Sequence, residues 1–283
     1  MPKLVTTVAG LREALAAHQS EHKTAAGKPR IGLVPTMGAL HEGHLSLVQQ
    51  ARDRAAAVVV SIFVNPTQFA PHEDFDAYPR TLDADLQKLG AQADIVFAPT
   101  VQEMYPQGYA TTLSVAGPSA GLETDFRPHF FAGVATVVAK LLIAASPDVA
   151  VFGEKDYQQL LVIKRLVRDL ALPVEIVGVP TLREADGLAL SSCNAYLGAD
   201  ERKIAGELNV ILKRAIAQAR GGDLRAAEAA GAEALWAAGF SHVDYVAIRD
   251  AETLDHITRL ERPARILAAA KIGKTRLIDN MPV

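Results

Sequence analysis

Through roughly the first 180 residues, short apolar runs rich in β-branched side chains alternate with stretches whose apolar residues recur at helical spacing. The runs occupy 31–34, 58–64, 94–98, 148–152 and 174–179, and the helical stretches 45–57, 82–89, 134–145 and 158–170. Strands of this kind, buried on both faces, belong to parallel sheets covered by helices. Pro35, Pro66, Pro99, Gly153 and Pro180 close the runs, as expected of residues that leave the ladder. The pattern predicts an α/β fold, a Rossmann-like doubly wound parallel sheet. Its chemistry should gather just past the carboxyl ends of the strands.

The texture changes near Arg183. Two Ala-rich helical segments, 201–220 and 224–238, precede strand-like runs at 243–248, 265–270 and 275–278. Gly221 and Gly222 break the helices apart and Asp223 caps the second. We read residues 1–182 as the larger domain and 183–283 as a smaller α+β domain that closes over the site on the first.

Composition narrows the functional classes. Of 283 residues, 49% are hydrophobic and 22% charged, and 29 basic against 32 acidic side chains give a net charge of -3. With no basic excess, a nucleic-acid partner is not expected. The start of the chain carries no signal-like apolar core, and no long uncharged apolar stretch follows. The expectation is a cytoplasmic protein without a membrane partner. The one cysteine, Cys193, excludes an internal disulfide and a cysteine-rich metal site.

The strongest chemical signal is Met37-Gly38-Ala39-Leu40-His41-Glu42-Gly43-His44, which follows the first strong strand and opens into a helix. Strand, glycine-containing loop and helix make a phosphate-binding layout, because the free N–H groups and dipole of a helix start favour an anion. Two imidazoles one turn apart add donors suited to charge building on phosphorus. Helix-capping histidines are the plainer reading. A zinc pair is another, although the metalloprotease spacing is different and no third ligand is near in sequence.

The loop resembles the H-x-G-H nucleotidyltransferases, and further segments resemble one family among them, the pantoate:beta-alanine ligases. These are 61–69 (SIFVNPTQF), 78–81 (YPRT), 152–159 (FGEKDYQQ) and 186–192 (DGLALSS). The ordered set covers most of the chain and is far more specific than H-x-G-H alone. The resemblance implies a two-step synthesis. Pantoate attacks the α-phosphorus of ATP to give pantoyl adenylate and pyrophosphate, and beta-alanine then displaces AMP. Magnesium accompanies the ATP, and the family forms homodimers.

It also implies roles. His41, His44 and Lys155 would be catalytic, with His44 at the family's proton-donor position. ATP would lie against Met37 to His44, against Gly153, Glu154, Lys155 and Asp156, and against Leu182, Leu190, Ser191, Ser192 and Cys193. Gln68, Gln159 and Asn65 would hold pantoate and beta-alanine through their amides. Asp83 and Asp85 are candidates for magnesium, although acids in a first helical turn also answer to the dipole. The polar stretch 70–76 would cover the adenylate.

Two positions depart from the family pattern. Cys193 stands where relatives carry Arg after Ser-Ser, and Phe130 stands where they carry His, with His129 one place early. Losing a guanidinium near phosphate predicts reduced, not abolished, activity. A sister H-x-G-H nucleotidyltransferase, a fragment of an aminoacyl-tRNA synthetase, and a nucleotide-binding homologue without turnover are the competing readings.

Overall fold

The computed structural model describes residues 1–22, 27–69, 75 and 78–283. In chain order the larger unit contains β1 (Lys3–Val5), α1 (Val8–Glu21), β2 (Ile31–Thr36), α2 (Glu42–Arg52), β3 (Ala57–Ile62), α3 (Leu82–Leu89) and β4 (Ile95–Phe97). It continues with α4 (Val101–Met104), α5 (Glu123–Phe126), α6 (Phe130–Ala145), β5 (Val149–Gly153), α7 (Tyr157–Asp169) and β6 (Glu175–Val179). The remainder holds α8 (Ala199–Ala219), α9 (Leu224–Ala238), β7 (His242–Asp250), β8 (Ala264–Ile272) and β9 (Thr275–Pro282).

The six strands of the first sheet are all parallel, in the order β1-β4-β3-β2-β5-β6. Alternation along the strands sorts their side chains onto two faces. Leu33, Val59, Phe97 and Phe152 pack with α1, α6 and α7, whereas Val34, Val58, Val60 and Val151 pack with α2 and α3. Each such buried Val or Leu contributes about 1.5–3 kcal/mol. The second core lies between α8, α9 and the antiparallel sheet β7-β8-β9. An α/β fold with a smaller α+β part is what the pattern predicts.

The chain passes from β2 outward through β3 to β4, then returns to lay β5 against the other side of β2. Order therefore reverses between β2 and β5, and ligands of open parallel sheets bind at such a switch point. The loops leaving β2 and β5 are those of His41, His44 and Lys155.

Differences from the pattern have local causes. β1 and α1 carry too short an apolar signal to be read as strand and helix, yet Thr7 caps α1 by accepting from the Gly10 N–H at 3.0 Å. The helix expected over 45–57 runs instead over Glu42–Arg52, because His41 caps it and β3 claims the chain from Ala57. The stretch 70–76 lies outside the described residues except for Phe75, whose ring stands edge-on to Phe69 at 5.4 Å.

Candidate active site

The capping of α2 sets both imidazoles. The Gly43 N–H donates to His41 Nδ1 at 3.1 Å, and the His41 N–H donates to His44 Nδ1 at 3.3 Å. The rings sit 4.1 Å apart, tilted by 39°. Since each Nδ1 accepts, the proton of each neutral ring resides on Nε2, which is left free to donate. The intervening glycine is required: a Cβ at Gly43 would come within 2.8 Å of the His41 ring. The H-x-G-H spacing is thus a cap folded over a glycine.

Burial first, then His41, Lys155 and Lys88, push the pKa of His44 down from its ordinary 6.5 to about 3. His41 is lowered as well, by burial and then by the same two lysines. In the free protein the pair consists of neutral hydrogen-bond donors, so His44 is not a protonated acid until an anion raises its pKa. An unfolded chain protonates this histidine near pH 6.5 but the folded chain only near 3, so the unfolded state binds more protons between those values. Stability is accordingly complete above pH 6.5 and is lost as pH falls through that window. Urea unfolding at pH 7 and pH 5 should show a loss of about 2 kcal/mol attributable to His44. His44→Asn should lack that part of the loss, and an unchanged pH slope would exclude His44 as its source.

The loop before the cap corrects one expectation. The Ala39 and Leu40 N–H groups donate to the two oxygens of Asp85 at 3.0 and 2.8 Å, and the Gly38 N–H donates to Thr36 Oγ1 at 3.3 Å. Gly38, Ala39 and Leu40 therefore offer no free N–H groups to phosphate, because the chain supplies its own acceptors. Asp85 is fully buried and also accepts from Thr81 Oγ1 at 3.1 Å. That arrangement is a loop anchor and not a magnesium ligand, and Asp83 is a first-turn acid of α3. No group of three or more His, Cys, Asp or Glu side chains suited to a metal occurs among the described residues. Met37 is half-buried and Glu42 exposed beside this loop.

Lys155 lies in the turn Glu154–Asp156 that follows β5, close enough to bias both histidines. Lys88 of α3 is a cation that sequence reading missed; its Nζ donates to the Leu40 carbonyl at 2.6 Å. Glu154, expected at the nucleotide, pairs through its carboxylate with Arg265 at 2.9 Å. Asn280 donates to the Glu154 and Lys155 carbonyls at 2.9 and 2.8 Å. The smaller unit thereby holds the lysine loop from behind. Asp156 stands at the N-cap position of α7, and Gly153 ends β5 against Leu47.

The segment after β6 also comes to this edge. Leu190 lies against Gly43, since a Cβ there would sit 3.8 Å from that of Leu190. Lys155 and Ser191 line one small cavity. Ser191 Oγ accepts from the Cys193 N–H at 3.2 Å, and the Ser192 side chain lies beside the Tyr78 hydroxyl. Cys193 is half-buried and packs against the second core. Leu182 is 43% exposed, its carbonyl accepting from the Leu190 N–H at 2.9 Å.

Past β3, Asn65 is fully buried. Its oxygen accepts from the Tyr105 hydroxyl at 2.8 Å and from Thr67 Oγ1 at 3.0 Å, and its nitrogen donates to Gln68 Oε1 at 3.0 Å and the Gly133 carbonyl at 3.2 Å. Asn65 therefore has no amide left for a substrate; it orients Gln68, whose own amide nitrogen has no hydrogen-bond partner among the described residues. Gln159 occupies the first turn of α7, half-buried at the same sheet edge. Its neighbour Gln158 is buried, accepting from the Glu123 N–H at 3.1 Å.

Phe130 lies under the Arg127 guanidinium at 4.0 Å, and Arg127 donates to the Gln68 carbonyl at 3.0 Å. The family's histidine position thus steadies the Gln68 turn here, while His129 is exposed at the start of α6. Gly133 lets α6 approach that turn, because any Cβ would drive into the Thr67 carbonyl oxygen. Gly133→Ala should cost about 1–3 kcal/mol in urea unfolding, and unchanged stability would show that the turn tolerates the shift.

A family model described as Pantoate-beta-alanine ligase matches residues 3–282. The chain belongs to the pantoate-beta-alanine ligase family. It is 57% identical to a pantothenate synthetase of Mesorhizobium japonicum, over 100% of this chain and 98% of the relative. Identity to that of Caulobacter vibrioides is 56%, covering 100% and 99%. The crystal structure of pantothenate synthetase from Thermus thermophilus superposes with a TM-score of 0.90 at 48% identity, covering 99% and 98% of the two chains. The pantoate-beta-alanine ligase of Francisella tularensis complexed with beta-gamma ATP and beta-alanine superposes with a TM-score of 0.81 at 33% identity, covering 99% and 97%.

Proposed function

We infer that this chain condenses pantoate with beta-alanine at the expense of ATP, releasing AMP and pyrophosphate. A pantoate carboxylate oxygen attacks the α-phosphorus and the bond to pyrophosphate breaks. The amine of beta-alanine then attacks the acyl carbon, the bond to AMP breaks, and the amine gives up a proton. Among the comparisons, full-length kinship with pantothenate synthetases supports this. Within the molecule, the observation that carries it is the convergence of two Nε2–H donors and the Lys155 ammonium at the β2/β5 switch point.

His41, His44 and Lys155 hold the polyphosphate and meet the charge that builds as pyrophosphate departs. Gln68, steadied by Asn65, and Gln159 offer amides to the acid substrate. Met37, Glu42, Leu182, Leu190, Ser191, Ser192 and Cys193 border the nucleotide. Magnesium travels with ATP, held by phosphate oxygens and water; the described residues present no carboxylate cage for it. Residues 1–182 and 183–283 act as two domains, the second bracing the Lys155 loop through Arg265 and Asn280. The working form is a cytoplasmic homodimer, as the family resemblance implies; sedimentation tests the dimer.

Exchange of labelled pyrophosphate into ATP is the deciding assay. Exchange is expected with pantoate and not without it. Exchange with a different acid only would point to a sister nucleotidyltransferase, and ATP binding with no exchange to a homologue without turnover.

A further inference from the structure

A cleft of about 560 Å³ opens behind the Lys155 loop, between α8 and the ends of β6 and β9. Its volume is that of small-molecule sites. Four cations line it, and two of them are neutralised: Arg183 by Asp279 and Arg265 by Glu154, at 2.8 and 2.9 Å. The other two are Lys213, near the end of α8, and Arg220, at its C-cap, both exposed. Neither has an ion-pair partner among the described residues. Thr181 Oγ1, also at this cleft, is buried with no hydrogen-bond partner. Ile216 and Met281 add apolar surface.

We propose that this cleft binds a small phosphomonoester with an apolar body, at a site separate from the polyphosphate site. Two unpaired cations match a dianion, and the oxygens of a phosphate head can serve Lys213 and Arg220 together. Arg265 forms one wall and holds Glu154, whose carbonyl shares Asn280 with that of Lys155. A phosphate that draws Arg265 away from Glu154 therefore reaches the lysine loop.

Phenyl phosphate is the probe, titrated calorimetrically into the intact protein, the Lys213→Ala/Arg220→Ala double variant, and Lys155→Ala. Because calorimetry needs no turnover, the outcome is independent of whether the ligase reading stands. We expect one site in the intact protein, unchanged in Lys155→Ala, weakened at least tenfold in the double variant, and at least tenfold weaker for benzoate. Binding lost in Lys155→Ala and kept in the double variant would overturn the proposal, since the anion would then sit among the catalytic cations. No binding at all would overturn it as well, leaving two solvated surface cations. Phenyl phosphate should also raise the KM for ATP in the intact protein and not in the double variant; an equal rise in both would refute the link to Lys155.

Discussion

His44→Ala is expected to slow pantoate-dependent pyrophosphate exchange by about 100- to 1,000-fold, or about 2.7–4 kcal/mol of transition-state stabilisation. The ring has a locked orientation: its Nδ1 takes the His41 N–H, and its other nitrogen carries the donor. Removing it deletes that donor and uncaps α2. His44→Asn separates the two effects, since the amide oxygen can still accept from the His41 N–H but no donor stands at the Nε2 position. We expect His44→Asn to unfold at nearly the parental urea midpoint at pH 7 and to remain at least 100-fold slow. A rate within threefold of the parent would remove His44 from the proposed machinery.

Arg276→Ala should be the most destabilising single change described, by about 3–5 kcal/mol. Arg276 reaches from β9 to both oxygens of Glu123 at 2.8 Å and to Asp244 at 2.6 Å. The two acids keep only 8% and 2% of their side-chain surface exposed, and the Tyr245 hydroxyl donates to Glu123 at 2.7 Å. Burial, followed by the Glu123 charge, drives the Tyr245 pKa well above its ordinary value, so the phenol stays a donor and cannot replace the lost cation. Without the guanidinium, the two buried carboxylates keep only the Tyr245 hydroxyl on Glu123 and the half-exposed His242 ring, 3.3 Å from Asp244. Chemical denaturation monitored by fluorescence measures the loss. Adding Glu123→Gln should recover part of it, and a single-variant cost below 1 kcal/mol would mean that water relieves the charges.

The apolar runs and the H-x-G-H loop are legible in the sequence because their causes are local: strands covered on both faces are apolar at successive positions, as in β2 and β3, and a cap is complete within four. The same locality hides other parts of the site. Asp85 looks like a metal ligand because nothing in its own turn shows that Ala39 and Leu40, more than 40 residues earlier, donate to it. Asn65 looks like a substrate contact because Tyr105 and Gly133, which saturate it, are equally remote. The second unit is uninformative by itself for the same reason. Arg265, Arg276 and Asn280 acquire meaning only when β8 and β9 lie against the β5 loop and α5.

The locked imidazoles also define what an inhibitor of this site must look like. Both rings turn only N–H groups outward, with their lone pairs already engaged by main-chain donors. A sulfonyl, carbonyl or phosphonate oxygen therefore suits the pair, whereas a warhead built to capture histidine lone pairs through a transition metal would first have to unwind the helix cap.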